Sequence, residues 1–485
     1  MNRPLRRVAA ACGLLMVVLL LNLNFIQVIK AQDYRTDPRN ARVLLDEYDR
    51  ERGAILVGND PIAMSKPTDD DLKYLRQYVN ARVYAAVTGF YSHIYGAEGI
   101  ERFENSILAG TDDRLFVRRI VNLLTREETK GGNVKLTLDA AAQEAAFKGL
   151  AGRRGAVVAL EPTTGRILAM VSTPSYDPNA LATHDGKAAT KAWEDLRADE
   201  QAPMLNRAIH QLYPPGSTFK LVTAAAALAS GRYTPTSAVP GPARLDLPLT
   251  TTDLPNYFDG TCTPGSQQTT ITQALKKSCN TTFGAIGMDL GDTALRQQAE
   301  AFGFNSSLDI PMDVDRSVFP ENLNAPQTAQ SAIGQFDVKA SCLQMAMVAA
   351  GIANQGIVMR PYLVDEVRGP DLDVLDRTDP EELYHALSPQ VAADLARIMV
   401  QVVDDGTATN AQIPNVAVAG KTGTAQVGNG KNPHAWFVSF APEFNSEVAV
   451  AVVLENGGTD RTIEVGGNLL AAPIARAVMK AVLDR

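Results

Sequence analysis

The sequence predicts an α+β protein, with one antiparallel sheet carrying helices on its faces behind an apolar N-terminal segment and a small separate domain. Three features predict it. Two apolar runs, Ala156–Leu160 and Ile167–Val171, flank the turn Pro162-Thr163-Thr164-Gly165 and read as a hairpin. Helical patterns fill the middle of the chain, at Phe219–Ser230 and Ala340–Asn354. Strand patterns return at Ala435–Phe440 and Val448–Leu454, before a closing helix from about Leu469 to Leu483.

Taken in order, the chain begins with Arg3, Arg6 and Arg7, then an unbroken apolar run from Val8 to Leu21 whose character continues to Ile29. As a helix this stretch measures about 33 Å, enough to cross a bilayer. The basic residues ahead of it keep the N-terminus in the cytoplasm and send the rest outward. No A-x-A site follows the run, so an uncleaved single-pass anchor is expected rather than a removed signal peptide. The expected division is a tip and anchor over residues 1–30, a small domain over 31–130 and the main domain over 131–485. Residues 31–130 are mixed and charged and carry no recognisable chemical motif. Gly131-Gly132 reads as a break. Asn133–Leu138 alternates like a strand, and Asp139 stands where it can cap an Ala-rich helix.

Composition narrows the chemistry. Lys and Arg number 46 against 54 Asp and Glu, a net charge of −8, which argues against a nucleic-acid partner. Hydrophobic residues make up 45% and charged residues 21%, the balance of a packed globular chain. The five histidines include no H-x-x-x-H pair and the four cysteines no C-x-x-C, so a zinc or iron site is not expected. No P-loop sequence occurs. An exported chain can form disulfides; Cys262 and Cys279 are either a bridge or two buried thiols. Cys342 falls in an apolar helical pattern and reads as core.

Three motifs carry chemistry. In Tyr213-Pro214-Pro215-Gly216-Ser217-Thr218-Phe219-Lys220 a Pro/Gly loop feeds a helix, which puts Ser217 in its first turn, where unpaired N–H groups favour developing negative charge. Lys220 follows at i+3 on the same face. A serine needs a neighbour to take its proton, and a lysine can do so when burial or another cation keeps it neutral. In Lys276-Lys277-Ser278-Cys279-Asn280, Ser278 can relay a proton and Asn280 can hold a substrate amide, or both can cap helices. In Ala419-Gly420-Lys421-Thr422-Gly423-Thr424-Ala425, Lys421 supplies a second cation, Thr422 and Thr424 can bind a terminal carboxylate, and Gly423 leaves room for a ligand.

Together and in this order, S-x-x-K, S-x-N and K-T-G form the motif set of penicillin-interacting serine enzymes. The sequence resembles a class B penicillin-binding protein, most closely the penicillin-binding protein A group of actinobacteria. The resemblance runs over nearly the whole chain, through Asp37-Pro38-Arg39-Asn40, Arg42–Tyr48, Arg52-Gly53, Val87–Tyr91, Tyr176–Asn179, Asn206–Ala208, Gly334-Gln335 and His434–Trp436. It implies a transpeptidase domain built on a five-stranded antiparallel sheet and a pedestal- or dimerisation-like domain before it. By the same resemblance Ser217 attacks the D-Ala-D-Ala carbonyl, Lys220 takes the proton and Ser278 lies in the proton path. Asn280, Lys421, Thr422, Gly423 and Thr424 line the substrate, and the N–H groups of Ser217 and Thr424 form the oxyanion hole. The implied substrates are peptidoglycan stem peptides on lipid-linked precursors, the inhibitors β-lactams, and the compartment the outer side of the cytoplasmic membrane. That no metal or cofactor at all is needed follows only from this resemblance. A class B protein has no glycosyltransferase of its own, which implies a membrane glycan polymerase, and division proteins, as partners.

Two features depart from the family pattern. Cys279 occupies the middle of S-x-N, and a bridge to Cys262 would couple redox state to the site. The opening Arg52-Gly53-Ala54-Ile55 continues as Leu56-Val57-Gly58 in a short first domain. The rival readings are a D,D-carboxypeptidase, a β-lactam sensor and a β-lactamase. For the last, Glu321-Asn322-Leu323-Asn324 resembles an E-x-x-L-N pattern one residue short.

Overall fold

The computed structural model describes residues 2–30, 48–116, 125, 130–427, 432–457 and 466–485. Segments 37–40 and 42–47 of the resemblance lie outside them. Helix α1 (Asn2–Asn24) opens the chain and continues through a π-turn at Phe25–Ile29. Its window Arg6–Val28, with a mean hydropathy of 2.3, is long and apolar enough to cross a membrane, and its described side chains stand exposed.

Two sheets follow. The first contains β1 (Ile55–Val57), β2 (Asp60–Pro67), β3 (Tyr74–Tyr78) and β4 (Asn133–Leu136). Strands Val364–Arg368 and Val374–Arg377, far along the chain, complete it beside β4. The sheet therefore takes strands from both sides of residue 130. Gly131-Gly132 breaks the chain just ahead of β4 and is also a close backbone crossing: a Cβ on Gly131 would lie 1.9 Å from Leu108 O, and one on Gly53 1.8 Å from Gly132 O. Beneath the sheet the buried Glu101 carboxylate pairs with Arg52 and Arg76, each at 2.6 Å, and accepts from the Tyr78 hydroxyl at 3.1 Å. Burial pushes its pKa up, but the two guanidinium groups outweigh burial and hold it below the usual carboxylate value.

The second sheet holds β5 (Gly155–Leu160), β6 (Ile167–Thr173), β7 (Ala419–Ala425), β8 (His434–Ala441) and β9 (Val448–Leu454). Its order is β7-β8-β9-β5-β6, with every neighbouring pair antiparallel. Every residue of β5, β6, β8 and β9 is buried, which is why these strands read as continuous apolar runs rather than alternating ones.

The helices that matter are α2 (Ala140–Leu150), α3 (Lys220–Ala229), α4 (Ile271–Lys277), α5 (Asn280–Leu290), α6 (Cys342–Ala353), α7 (Pro389–Asp405) and α8 (Ala472–Leu483). Asp139 caps α2 by accepting from Ala142 N at 2.7 Å. Helices α2 and α8 pack together on the sheet, and α6 packs on β9, β5 and β8. Helices α3, α4, α5 and α7 form a helical lobe, and α7 lies against β7. Edge strand β7 thus meets the lobe, and the three motifs converge at that seam.

Candidate active site

The first motif folds more tightly than its pattern suggests. Gly216 adopts φ +54° and the chain makes a 3₁₀ turn over Gly216–Phe219, so α3 starts only at Lys220. In a 3₁₀ turn residues i and i+3 eclipse. Ser217 and Lys220 are therefore stacked, with Lys220 Nζ 3.0 Å from Ser217 Oγ. Lys220 is wholly buried, while Ser217 keeps 7% of its surface. Gly216 N donates to Gly334 O at 2.9 Å, and the Thr218 hydroxyl donates to Pro215 O at 2.7 Å.

The second motif links two helices. Helix α4 ends on Ser278 in the left-handed region, φ 60°. Ser278 N donates to Leu275 O at 3.1 Å and Cys279 N to Ala274 O at 2.9 Å, the bond pair of a Schellman end. Helix α5 begins at Asn280. A disulfide joins Cys279 to Cys262, both buried, with Cα atoms 5.9 Å apart. This segment wraps the Lys220 amine: Nζ lies 2.7 Å from Ser278 O, 3.2 Å from Ser278 Oγ and 2.7 Å from Asn280 Oδ1.

The third motif is β7 itself. Lys421, also wholly buried, donates from Nζ to Ser278 Oγ and to Thr422 O, each at 2.8 Å. Strand and turn meet closely. A Cβ on Gly423 would sit 2.9 Å from Thr218 Cγ2, and one on Gly216 2.5 Å from Thr424 O. At 216 the clash is with backbone, so only glycine fits there; at 423 a Cβ would press on the Thr218 methyl group.

One hydrogen-bonded network therefore unites Ser217, Lys220, Ser278, Asn280 and Lys421, and Gly423 packs against the serine turn. The Thr422 hydroxyl is turned elsewhere: it is buried 3.0 Å from the Thr407 hydroxyl on the loop after α7. Thr424 Oγ1 is buried without a hydrogen-bond partner among the described residues. Sequence reading gave Thr407 no role, and Gly334 entered it only through the resemblance. No spacing rule ties either to a motif. The E-x-x-L-N likeness has a different meaning: Glu321 faces solvent 3.4 Å from Arg296, and Asn324 caps the next helix with Gln327.

A serine stacked on a buried lysine, with a second serine bridging that lysine to another on an edge strand, is the site of a penicillin-interacting serine enzyme. Residues 155–480 match the penicillin binding protein transpeptidase domain, and residues 52–134 the penicillin binding protein A dimerisation domain. The chain belongs to the penicillin-binding protein transpeptidase family. Peptidoglycan D,D-transpeptidase PbpA of Mycolicibacterium smegmatis is 48% identical, over 100% of this chain and 99% of that protein. PbpA of Mycobacterium tuberculosis is 45% identical, over 100% of this chain and 99% of its own length. The ceftriaxone acyl-enzyme of M. tuberculosis penicillin-binding protein A superposes with a TM-score of 0.87 at 43% identity, covering 90% of this chain and 100% of that one.

Proposed function

We propose that the protein is a membrane-anchored serine D,D-transpeptidase that cross-links peptidoglycan stem peptides outside the cytoplasmic membrane and is acylated there by β-lactams. The observation that carries this reading is the set of partners around Lys220 Nζ. Two of them, Ser278 O and Asn280 Oδ1, can only accept from it. A neutral amine gives its two N–H groups to these and is left with a lone pair for the Ser217 hydroxyl at 3.0 Å. Lys220 is then the base that activates Ser217.

Ser217 Oγ attacks the penultimate D-Ala carbonyl as its proton passes to Lys220. The oxyanion takes the N–H groups of Ser217 and Thr424, each worth about 3 kcal/mol in comparable enzymes. Ser278, bonded to both lysines, passes a proton to the departing D-Ala amine. An acceptor amine then attacks the ester, forming the cross-link and freeing Ser217. Asn280 holds the donor's amide, Thr424 meets its terminal carboxylate, Lys421 and Thr422 brace that end of β7, and Gly423 gives the peptide room beside the strand.

Residues 1–30 are the tip and membrane anchor, 31–130 the pedestal or dimerisation-like domain and 131–485 the transpeptidase domain. Lipid-linked precursors, a membrane glycan polymerase and division proteins are the partners this arrangement calls for.

Intact mass of the full-length protein after incubation with penicillin tests the reading. One covalent adduct is expected, absent in Ser217→Ala; an unmodified wild type, or equal labelling of the variant, overturns it. With a D-Ala-D-Ala peptide and an amine acceptor, cross-linked product is expected. D-Ala release without acceptor incorporation would make the enzyme a carboxypeptidase.

A further inference from the structure

We propose that Trp436 is a positioning residue for acylation, setting the distance between the turn that carries Ser217 and strand β7. The inference rests on the site reading above and adds a residue outside its three motifs.

Trp436 lies on β8 directly opposite Gly423, and its ring is wholly buried. Its indole Nε1 donates to Pro214 O at 3.1 Å, three residues before Ser217. Pro214 and Pro215 have no N–H to offer, so this segment is held from outside only through its carbonyls. Pro215 O already accepts from the Thr218 hydroxyl at 2.7 Å, inside the turn. Pro214 O is held from the sheet, by a side chain that can only donate. The same tryptophan presses on β7: a Cβ on Gly423 would sit 3.0 Å from Trp436 Cβ and 3.1 Å from Pro215 O. One residue thus touches both partners of the seam. The backbone N–H groups proposed to meet the oxyanion, of Ser217 and Thr424, come one from each side of it.

The indole is itself held in place. Tyr213 stands edge-on to Trp436 at 6.0 Å and to His434 at 5.2 Å. Its hydroxyl donates to Glu455 Oε1 at 2.8 Å, beside Arg207 at 2.9 Å, and Arg154 takes the other carboxylate oxygen at 2.8 Å. From the lobe side Gly334 O holds Gly216 N. The serine turn is clamped between these two supports. A 1 Å displacement at a reacting centre costs roughly a hundredfold in rate, so losing one support should appear in the chemical step.

The test uses Trp436→Phe in the full-length protein in detergent, with stopped-flow acylation by a fluorescent penicillin. The wild type is measured first; failure of the wild type to acylate would sink the site reading rather than this one. The expected result for the variant is an acylation rate constant lower by roughly ten- to a hundredfold, with unchanged non-covalent affinity and an unchanged shape of the pH–rate profile. Wild-type acylation, a loss confined to affinity, or a shifted pH profile each overturns the proposal. If the variant does not fold, Trp193→Phe leaves Trp436 as the one tryptophan of a chain that has two. Its ¹⁵N-labelled indole N–H should be protected from exchange and should shift when penicillin acylates the protein; a freely exchanging or unmoved signal overturns the inference.

Discussion

Replacing Lys220 with methionine tests the proton path most directly. Methionine keeps an unbranched apolar stem in a wholly buried place, so the packing around α3 survives. What disappears is the amine, with its contacts to Ser217 Oγ, Ser278 O, Ser278 Oγ and Asn280 Oδ1. Two of these atoms only accept, and leaving a buried acceptor such as Ser278 O unmade costs about 1–3 kcal/mol, less at the part-exposed Asn280. Removing a buried polar amine offsets part of that cost, so Lys220→Met should fold with a modestly lower melting temperature. Acylation is another matter, because a positioned general base contributes roughly 10²- to 10⁴-fold. Stopped-flow kinetics with a fluorescent penicillin separates binding from acylation. The acylation rate constant should fall within that range while non-covalent affinity stays near wild type. A variant acylating within a few-fold of wild type would refute the assignment of Lys220 as base.

Glu101→Gln should lower stability by about 3–5 kcal/mol in chemical denaturation, since it leaves Arg52 and Arg76 buried without their counter-charge. Because the folded-state pKa of Glu101 lies below its unfolded value, its contribution is present above the unfolded carboxylate pKa and lost as pH falls through the folded one. The wild type should therefore lose stability on acidification more steeply than the variant; identical acid limbs would exclude Glu101 as the titrating group. Ser278→Gly should fold with only modestly lower stability, because relief of the left-handed backbone, about 1–2 kcal/mol, offsets part of the about 1–3 kcal/mol for each of the two buried hydrogen bonds lost. The same variant should lose acylation by at least about a hundredfold, measured by penicillin labelling. Retained labelling would remove Ser278 from the mechanism.

The sequence disclosed those parts of the fold and site that are local. The β5–β6 hairpin was legible because two apolar runs flank a Pro-Thr-Thr-Gly turn. Ser217 and Lys220 were legible because i+3 spacing alone stacks them, although the 3₁₀ turn beneath them was not foreseen. Strands 364–368 and 374–377 were not legible as members of the first sheet, since a pairing with residues 133–136 leaves no mark in either local pattern. Gly131-Gly132 was legible as a break ahead of the strand at Asn133 but not as a close crossing, for a related reason. A glycine needed for room looks in sequence like a glycine needed for flexibility, and only the partner backbone at Leu108 tells them apart. Thr422 showed its motif but not its partner: Thr407 lies 15 residues upstream with no periodic relation to it.

Ser278 joins the local and the distant halves of this site. A serine at the left-handed end of a helix costs about 1–2 kcal/mol that a glycine would not, and helix ends of this kind usually carry glycine. The strain persists because the surroundings over-determine it. Two backbone bonds close the end of α4, a disulfide fixes the next residue, and α5 starts immediately after. What that strain retains is a hydroxyl 3.2 Å from Lys220 Nζ and 2.8 Å from Lys421 Nζ. Glycine would relieve the backbone and empty the gap between the lysines; alanine would keep the strain and still lose the proposed proton path. The bridge at Cys279 adds a covalent tie to a helix end that two backbone bonds already close, between the two residues whose side chains reach Lys220.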